Sequence, residues 1–453
     1  MKRDVIDFEK EKVSTLFRKL LIPTLWGTIS MCAVTAIDGI FVGHGVGADG
    51  VAAVNIVVPI YQIMSGIGLM IGAGCSVAAS VHLSQKKVNI AQINISQAIG
   101  VTTLFTLLLS KLIMFLPAQT ARLLGASETL LPQVVDYLQC IMPSFAAQMW
   151  GMIGLFIIRL DGSPRYAMWC NIIPTTLNAI LDWLFIFPLG MGVKGVKGAA
   201  IATCISIIIG GVMALAYLLF YADTLRLVPL KISRKSVMLA FRNIGYHCKI
   251  GSSSLFGELT LAVLFLVGNH VFMNYLGDAG VGAFGIACYY TPFFFMFGNA
   301  VVQSAQPIIS YNYGISRWRE IKEARRLLFA TSLVIGVIVA LLFIFIPELL
   351  VALFVDTRSS AGQIAITGFP YIASGIIFFI LNVAVTGYYQ SIEKIKYATV
   401  VVFLRGFALL TPSFILLPKL LGTEGIWLAM PLAEIATTIV IGALFSWQQI
   451  KRG

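Results

Sequence analysis

Five ionisable residues stand inside stretches apolar enough to cross a bilayer: Asp38, Asp182, Glu258, Arg405 and Glu434. Charge in such surroundings is costly, and it marks substrate paths, ion sites or internal ion pairs. Asn178 precedes Asp182 by four residues, so amide and carboxylate share one face of a helix. With the first helix running outward, Asp38 lies about one turn below its outer end, and Asp182 about two turns below the outer end of the fifth. Thr203 lies about two turns into the sixth helix, which returns inward. Two carboxylates, an amide and a hydroxyl thus gather in the outer half of the N-terminal helices. A hard cation such as Na+ takes oxygen ligands of these kinds. A proton suits them equally, because neighbouring acids in a low dielectric compete for charge and one takes up a proton near neutral pH. Helix–helix hydrogen bonding is the competing reading of the same residues.

The remaining three charges belong to the second half of the chain. Arg405 and Glu434 fall on consecutive helices near mid-depth and are expected to form an ion pair that stabilises that half. Glu258 is a candidate contact for a cationic substrate. Lys111, near the outer end of its helix, is expected to snorkel to the surface. The run Phe293-Phe294-Phe295-Met296-Phe297 is expected to face lipid for the most part, with a pliable cavity wall as the alternative. Pro174 is expected to let the fifth helix bend beside its acid.

The elements that must position these residues follow from composition. Of 453 residues, 58% are hydrophobic and 11% charged, against a usual charged share of ~25%. The mean hydropathy is +0.90. Too little charge is present to cover a water-soluble protein of this length, so a disordered chain, a disulfide scaffold and a soluble enzyme with one anchor are excluded. Spans of ~20 residues recur about twelve times. They lack the short alternating segments of a membrane barrel, so the fold is an all-α integral membrane protein. With the N-terminus in the cytoplasm, 25 Lys and Arg fall on the inner side and five on the outer (Arg122, Lys194, Lys197, Arg358 and Lys419). That bias places both termini inside, in a multi-pass protein of the cell membrane. It also explains the net charge of +12 without a nucleic-acid partner. The seven cysteines sit in apolar runs without a CxxC pair and read as small buried hydrophobes.

The chain repeats itself. At an offset of 230, GADGVAAVNI (Gly47–Ile56) lies over GDAGVGAFGI (Gly277–Ile286), and Gly27, Gly68, Pro188 and Gly195 meet Gly257, Gly298, Pro418 and Gly425. Six helices per repeat is an even number, so the halves are parallel and surround a central cavity. The expected organisation is an N-terminal lobe over 1–222, a cytoplasmic linker over 223–248 and a C-terminal lobe over 249–453. No P-loop, HExxH or GxSxG motif occurs, so neither an ATP-driven pump nor an enzyme is expected. The reading is a transporter driven by an ion gradient, with no cofactor.

The stretches AIDGIFVGHGVGADGVAAVN (Ala36–Asn55), YLQCIMPSF (Tyr137–Phe145), IIRLDGSPRYAM (Ile157–Met168) and NAILDWLFIFPLGMGVKGVKGAAIAT (Asn178–Thr203) resemble the multidrug and toxic compound extrusion (MATE) family, and the likeness covers nearly the whole chain. The resemblance implies a twelve-helix antiporter, active as a monomer, that exports cationic or amphipathic small molecules in exchange for Na+ or H+. The family's bacterial cation-site residues fall on Asp38, Asn178, Asp182 and Thr203. Other branches use a carboxylate pair in the second lobe. Glu258 sits on the matching helix, but the tenth helix offers Asn382 and Tyr388 and no interior acid, which favours coupling through the first lobe. A flippase of lipid-linked saccharides from the same superfamily is the alternative. It would need a groove lined with Arg or Lys, and only Arg405 and Lys111 lie within spans.

Overall fold

The computed structural model describes residues 6–45, 48–124, 126–189, 196–230 and 233–450, and every element among them is helical. Lipid offers no hydrogen-bond partners, so a spanning chain must satisfy its backbone within each segment, and a helix does so. The twelve long helices are α1 (Val13–Gly45), α2 (Ala48–Ser84), α3 (Val88–Phe115), α4 (Leu131–Leu160), α5 (Pro164–Ile186), α6 (Lys197–Tyr221), α7 (Arg234–Gly277), α8 (Ala279–Gly314), α9 (Trp318–Phe345), α10 (Ser360–Ser391), α11 (Ile395–Leu421) and α12 (Thr423–Ile450). Among the described residues, ten stretches are long and apolar enough to cross a membrane. Helix α5 carries Asn171, Thr175, Thr176, Asn178 and Asp182, a polar load that marks it as the helix of a site. Large apolar side chains stand outward elsewhere, Phe345 at 74% exposure for example. Such a surface is stable in lipid and prone to aggregate in water.

The chain divides into two compact units, Met1–Gly251 with Ser310–Arg317, and Ser252–Ile309 with Trp318–Gly453. The interval 223–248, expected as a linker, is helical from Arg234 and groups with the first unit. The repeat appears in the packing order. In the first unit α4 packs on α3 and α6, and α6 on α5; in the second, α10 packs on α9 and α12, and α12 on α11.

The turns repeat as well. Lys86 (φ 61°) and Ser316 (φ 57°) stand 230 residues apart, and Gly162 (φ 83°) and Glu393 (φ 55°) stand 231 apart. Each follows a helix end, and in each the next N–H returns to the carbonyl five residues back: Lys87 to His82 at 2.9 Å, Arg317 to Asn312 at 2.9 Å, Ser163 to Ile158 at 3.0 Å and Lys394 to Tyr389 at 2.9 Å. This is the Schellman closure of a helix C-terminus, whose left-handed residue is most often glycine. Only Gly162 meets that preference, so three of these turns hold a side chain in a strained region because the packed helices demand it.

Close helix approach rests on small residues, as expected where lipid supplies no hydrophobic drive between helices. Gly211 of α6 lies directly on the backbone of Ala147 in α4, and Gly251 of α7 on the backbone of Met70 in α2. In the second unit Phe294 and Phe295 are buried, Phe294 against the rings of Phe343 and Phe379 and Phe295 against Gly257 of α7. The expectation that most of the 293–297 run faces lipid fails for these two positions, while Phe293, Met296 and Phe297 are half-buried; edge-to-face contacts hold the Phe294 ring inside.

Candidate functional site

Helix α5 is the spine of the first unit's site. It packs between α1 and α6. At Gly27 the missing side chain lets α1 approach to the amide of Asn171. At Gly210, α6 leaves room for the ring of Pro174, which stands inside α5. A proline there removes one backbone hydrogen bond and weakens the helix beside the polar residues.

Beyond Pro174, Asn178 and Thr203 meet across α5 and α6. The amide nitrogen of Asn178 lies 3.5 Å from the hydroxyl of Thr203, the outer limit of a hydrogen bond. Both line a cavity of about 420 Å³ whose wall is mainly apolar, with further polar groups from Asn171, Thr175 and Gln148. Asp182, one turn beyond Asn178, is fully buried at 0% exposure. Asp38 belongs to α1, and its side chain lies outside the described residues. Of the four residues expected to hold a cation, the structure thus brings Asn178 and Thr203 together and places Asp182 one turn away.

Gln148 was not singled out from the sequence. It is buried, lines the same cavity, and neither amide atom has a hydrogen-bond partner among the described residues. A buried amide left unsatisfied costs about 1–3 kcal/mol, which a bound polar ligand would recover. The available signal was a lone amide within the apolar run FAAQMW of α4.

A second polar cluster closes one end of this unit. Arg159, one of the 25 cations assigned to the inner side, is buried. Its guanidinium donates to the Thr24 hydroxyl at 3.2 Å and to the Leu155 carbonyl at 3.2 Å. Beside it, Asp161 Oδ1 accepts from the backbone N–H groups of Thr224 at 3.1 Å and Leu225 at 2.9 Å. Its Oδ2 accepts from the Tyr217 hydroxyl at 2.8 Å and the Asp223 N–H at 3.3 Å. One carboxylate therefore staples the chain leaving α6 to the turn between α4 and α5.

In the second unit Arg405 and Glu434 are both buried and paired. Nε and Nη2 of Arg405 donate to Glu434 Oε1 at 3.0 and 2.7 Å. The other carboxylate oxygen accepts from Asn382 Nδ2 at 2.7 Å, and that amide also reaches the Glu434 carbonyl at 2.9 Å. Thr438 donates to Asn382 Oδ1 at 3.0 Å, and the guanidinium lies 4.1 Å from the centre of the Phe379 ring. The acid missing from α10 is thus supplied by α12, and both carboxylate oxygens of Glu434 have a partner. Glu258, on α7, is half-buried and makes no ion pair or hydrogen bond among the described residues. Lys111 is exposed, with its ammonium 5.9 Å from the Phe115 ring.

Comparison with known proteins agrees with this architecture. The family model described as MatE matches residues 23–184 and 254–412. A multidrug export protein, MepA of Staphylococcus aureus, is 22% identical over 431 residues, covering 94% of this chain and 92% of that protein. Two solved structures share the fold. One, described as the outward-facing conformation of a multidrug resistance MATE family transporter of the MOP superfamily, has a TM-score of 0.87 at 19% identity, covering 98% of this chain and 97% of that one. The other, a MOP superfamily transporter from Pyrococcus furiosus, has a TM-score of 0.86 at 18% identity with the same coverage.

Proposed function

Because the chain belongs to the MatE family, we propose that it is a secondary active transporter that exports organic cations and other amphipathic small molecules in exchange for Na+ or H+. The observation that carries this reading is the first unit's cavity, an apolar wall with a few convergent polar groups and a fully buried acid one turn beyond them. Pockets of that make-up are the usual binding sites for small molecules. The lining contains no Lys or Arg, so it offers nothing to a pyrophosphate, and the flippase reading is not favoured.

In this proposal the coupling ion is cargo. It binds among Asp38, Asn178, Asp182 and Thr203 and neutralises the acids. Asn178 and Thr203 serve both sides of the exchange, since they line the cavity and belong to the ion's ligand set. Ion binding pulls α5 toward α6 and withdraws polar contacts from the substrate. A ligand shifts a two-state equilibrium only by its differential affinity for the states, and two cargoes competing for the same amide and hydroxyl supply that difference reciprocally. Glu258 is proposed as a further contact for the positive charge of the substrate.

Efflux of a panel of fluorescent organic cations from proteoliposomes, under separately imposed Na+ and pH gradients, tests the reading. One gradient is expected to drive efflux, and Asp182→Asn to abolish that dependence. Efflux indifferent to both gradients, or undiminished in the variant, would sink it.

A further inference from the structure

A cavity of about 960 Å³ lies in the second unit, along the start of α9, and shares no residue with the sites above. Its wall is graded along the helix. Arg319, Lys322 and Arg326 recur at spacings of three and four, so they form one stripe. Phe329 and Leu333 continue the same stripe, joined by Leu381 from α10. The three cations are exposed and make no ion pair or hydrogen bond among the described residues. Like charges at this spacing repel one another, and the lining holds a single acid, Glu323. That one acid stands four residues from Arg319 and three from Arg326, so it offsets only part of the repulsion.

The surroundings set the level of this cavity in the membrane. Trp318 is exposed at its charged end. The Arg325 guanidinium lies 5.7 Å from the Tyr388 ring, and Lys394 lies 5.9 Å from the Tyr397 ring. Aromatic rings interleaved with cations mark the boundary between headgroups and hydrocarbon. Past Leu333, Val334 and Ile338 are exposed as well, so the apolar end opens onto hydrocarbon.

The repeat supplies a comparison. The positions 230 residues earlier are Asn89, Gln92 and Ser96. There Gln92 Nε2 donates to the Thr224 carbonyl at 2.8 Å, and Ser96 Oγ accepts from the Val228 N–H at 2.9 Å. In the first unit this helix face is uncharged and covered by the protein's own chain; in the second it is cationic and lines a cavity. A second basic hollow, formed in the first unit by Arg18, Lys19 and Arg165, differs too, because Lys19 is tied to Glu11 at 2.7 Å.

We propose that the α9 cavity binds an anionic phospholipid of the surrounding bilayer. Its phosphate sits among Arg319, Lys322 and Arg326, and one acyl chain lies along Phe329, Leu333 and Leu381. Basic hollows between membrane helices are suited to such headgroups. From Arg326 to Leu333 is about 10 Å along the helix, which one lipid spans from phosphate to upper acyl chain. A soluble phosphate would satisfy the cations and leave the apolar half of the cavity unfilled. No cation continues beyond Arg326 along the wall, so the site retains lipid and does not conduct it.

Native mass spectrometry of the purified full chain, titrated with phosphatidylglycerol or with phosphatidylcholine of the same acyl chains, tests this without reference to transport. Phosphatidylglycerol is expected to bind more tightly. At about fivefold per surface cation, the triple variant R319Q/K322Q/R326Q should weaken it ~100-fold and weaken phosphatidylcholine, which carries no net charge, far less. E323Q removes the one acid without touching a cation and should tighten phosphatidylglycerol about fivefold, which keeps the test open if the triple variant does not fold. Equal retention of the two lipids, or no gain in E323Q, would overturn the proposal. Displacement of the lipid by inorganic phosphate at matched concentration would also overturn it, in favour of a soluble anion.

Discussion

Glu434→Gln is the most informative single change in the second unit. Arg405 and Glu434 are each 3% exposed, and the guanidinium is held by two donations to one carboxylate oxygen at 3.0 and 2.7 Å. Glutamine fits the same space, but its one side-chain oxygen accepts from Arg405 or from Asn382 and not from both, so the variant loses the negative charge together with one acceptor. Removing one partner of a buried pair leaves the other charge desolvated and uncompensated, at a cost of about 3–5 kcal/mol. For a helical unit of this size each kcal/mol moves the melting temperature by roughly 2–4 °C, so the variant should melt about 10 °C below the wild type in detergent. Replacing both residues by apolar ones, R405M with E434L, removes the desolvation penalty along with the attraction. It also removes one of the two acceptors of Asn382 Nδ2, worth about 1 kcal/mol. The double variant should therefore recover most of the loss and melt well above E434Q. A thermal shift series over wild type, E434Q, R405M and the double variant measures this. An E434Q that melts within about 2 °C of wild type, given that each kcal/mol is worth roughly that much, would refute the argument. So would a double variant at least as unstable as the two single losses added together.

Two further predictions concern the first unit. Gln148→Leu should raise stability by about 1 kcal/mol, since it removes an unsatisfied buried amide, while raising KM for polar substrates and sparing purely apolar ones; an unchanged substrate profile would separate Gln148 from recognition. Asp161→Ala orphans the N–H groups of Asp223, Thr224 and Leu225 and should cost about 2–4 kcal/mol, as for several hydrogen bonds to one charged group. Trypsin should then cut faster after the exposed Arg226 than in the wild type, and equal rates would mean that the segment is held by other contacts.

The amino-acid sequence by itself determined the solvent and the segments. Hydropathy and helical period are local properties, so scarcity of charge, recurrence of apolar runs and an offset of 230 led to an all-helical membrane protein in two six-helix halves. The same local logic reached Asn178 and Asp182, which one helical turn of α5 relates. The polar atoms of the second unit show where such reasoning stops. Arg405 and Glu434 were paired on depth alone, but Asn382 entered the same network only because α10 and α12 pack together. The tenth helix looked empty of acid from its own sequence, and its acid arrived from a neighbour. Arg159 counted among the inner-side cations until tertiary packing buried it, and Asp161 beside it became a staple. Phe294 turned inward against rings more than forty residues away in sequence. The contrast of α3 with α9 depends on a strand of chain from 224–228 lying across one and not across its counterpart. Which residues lie in the membrane depends on composition, summed along the chain. Which polar groups meet within it depends on the rotation of each helix about its axis, and that is set by the small residues and side-chain interlocking at crossings far apart in sequence.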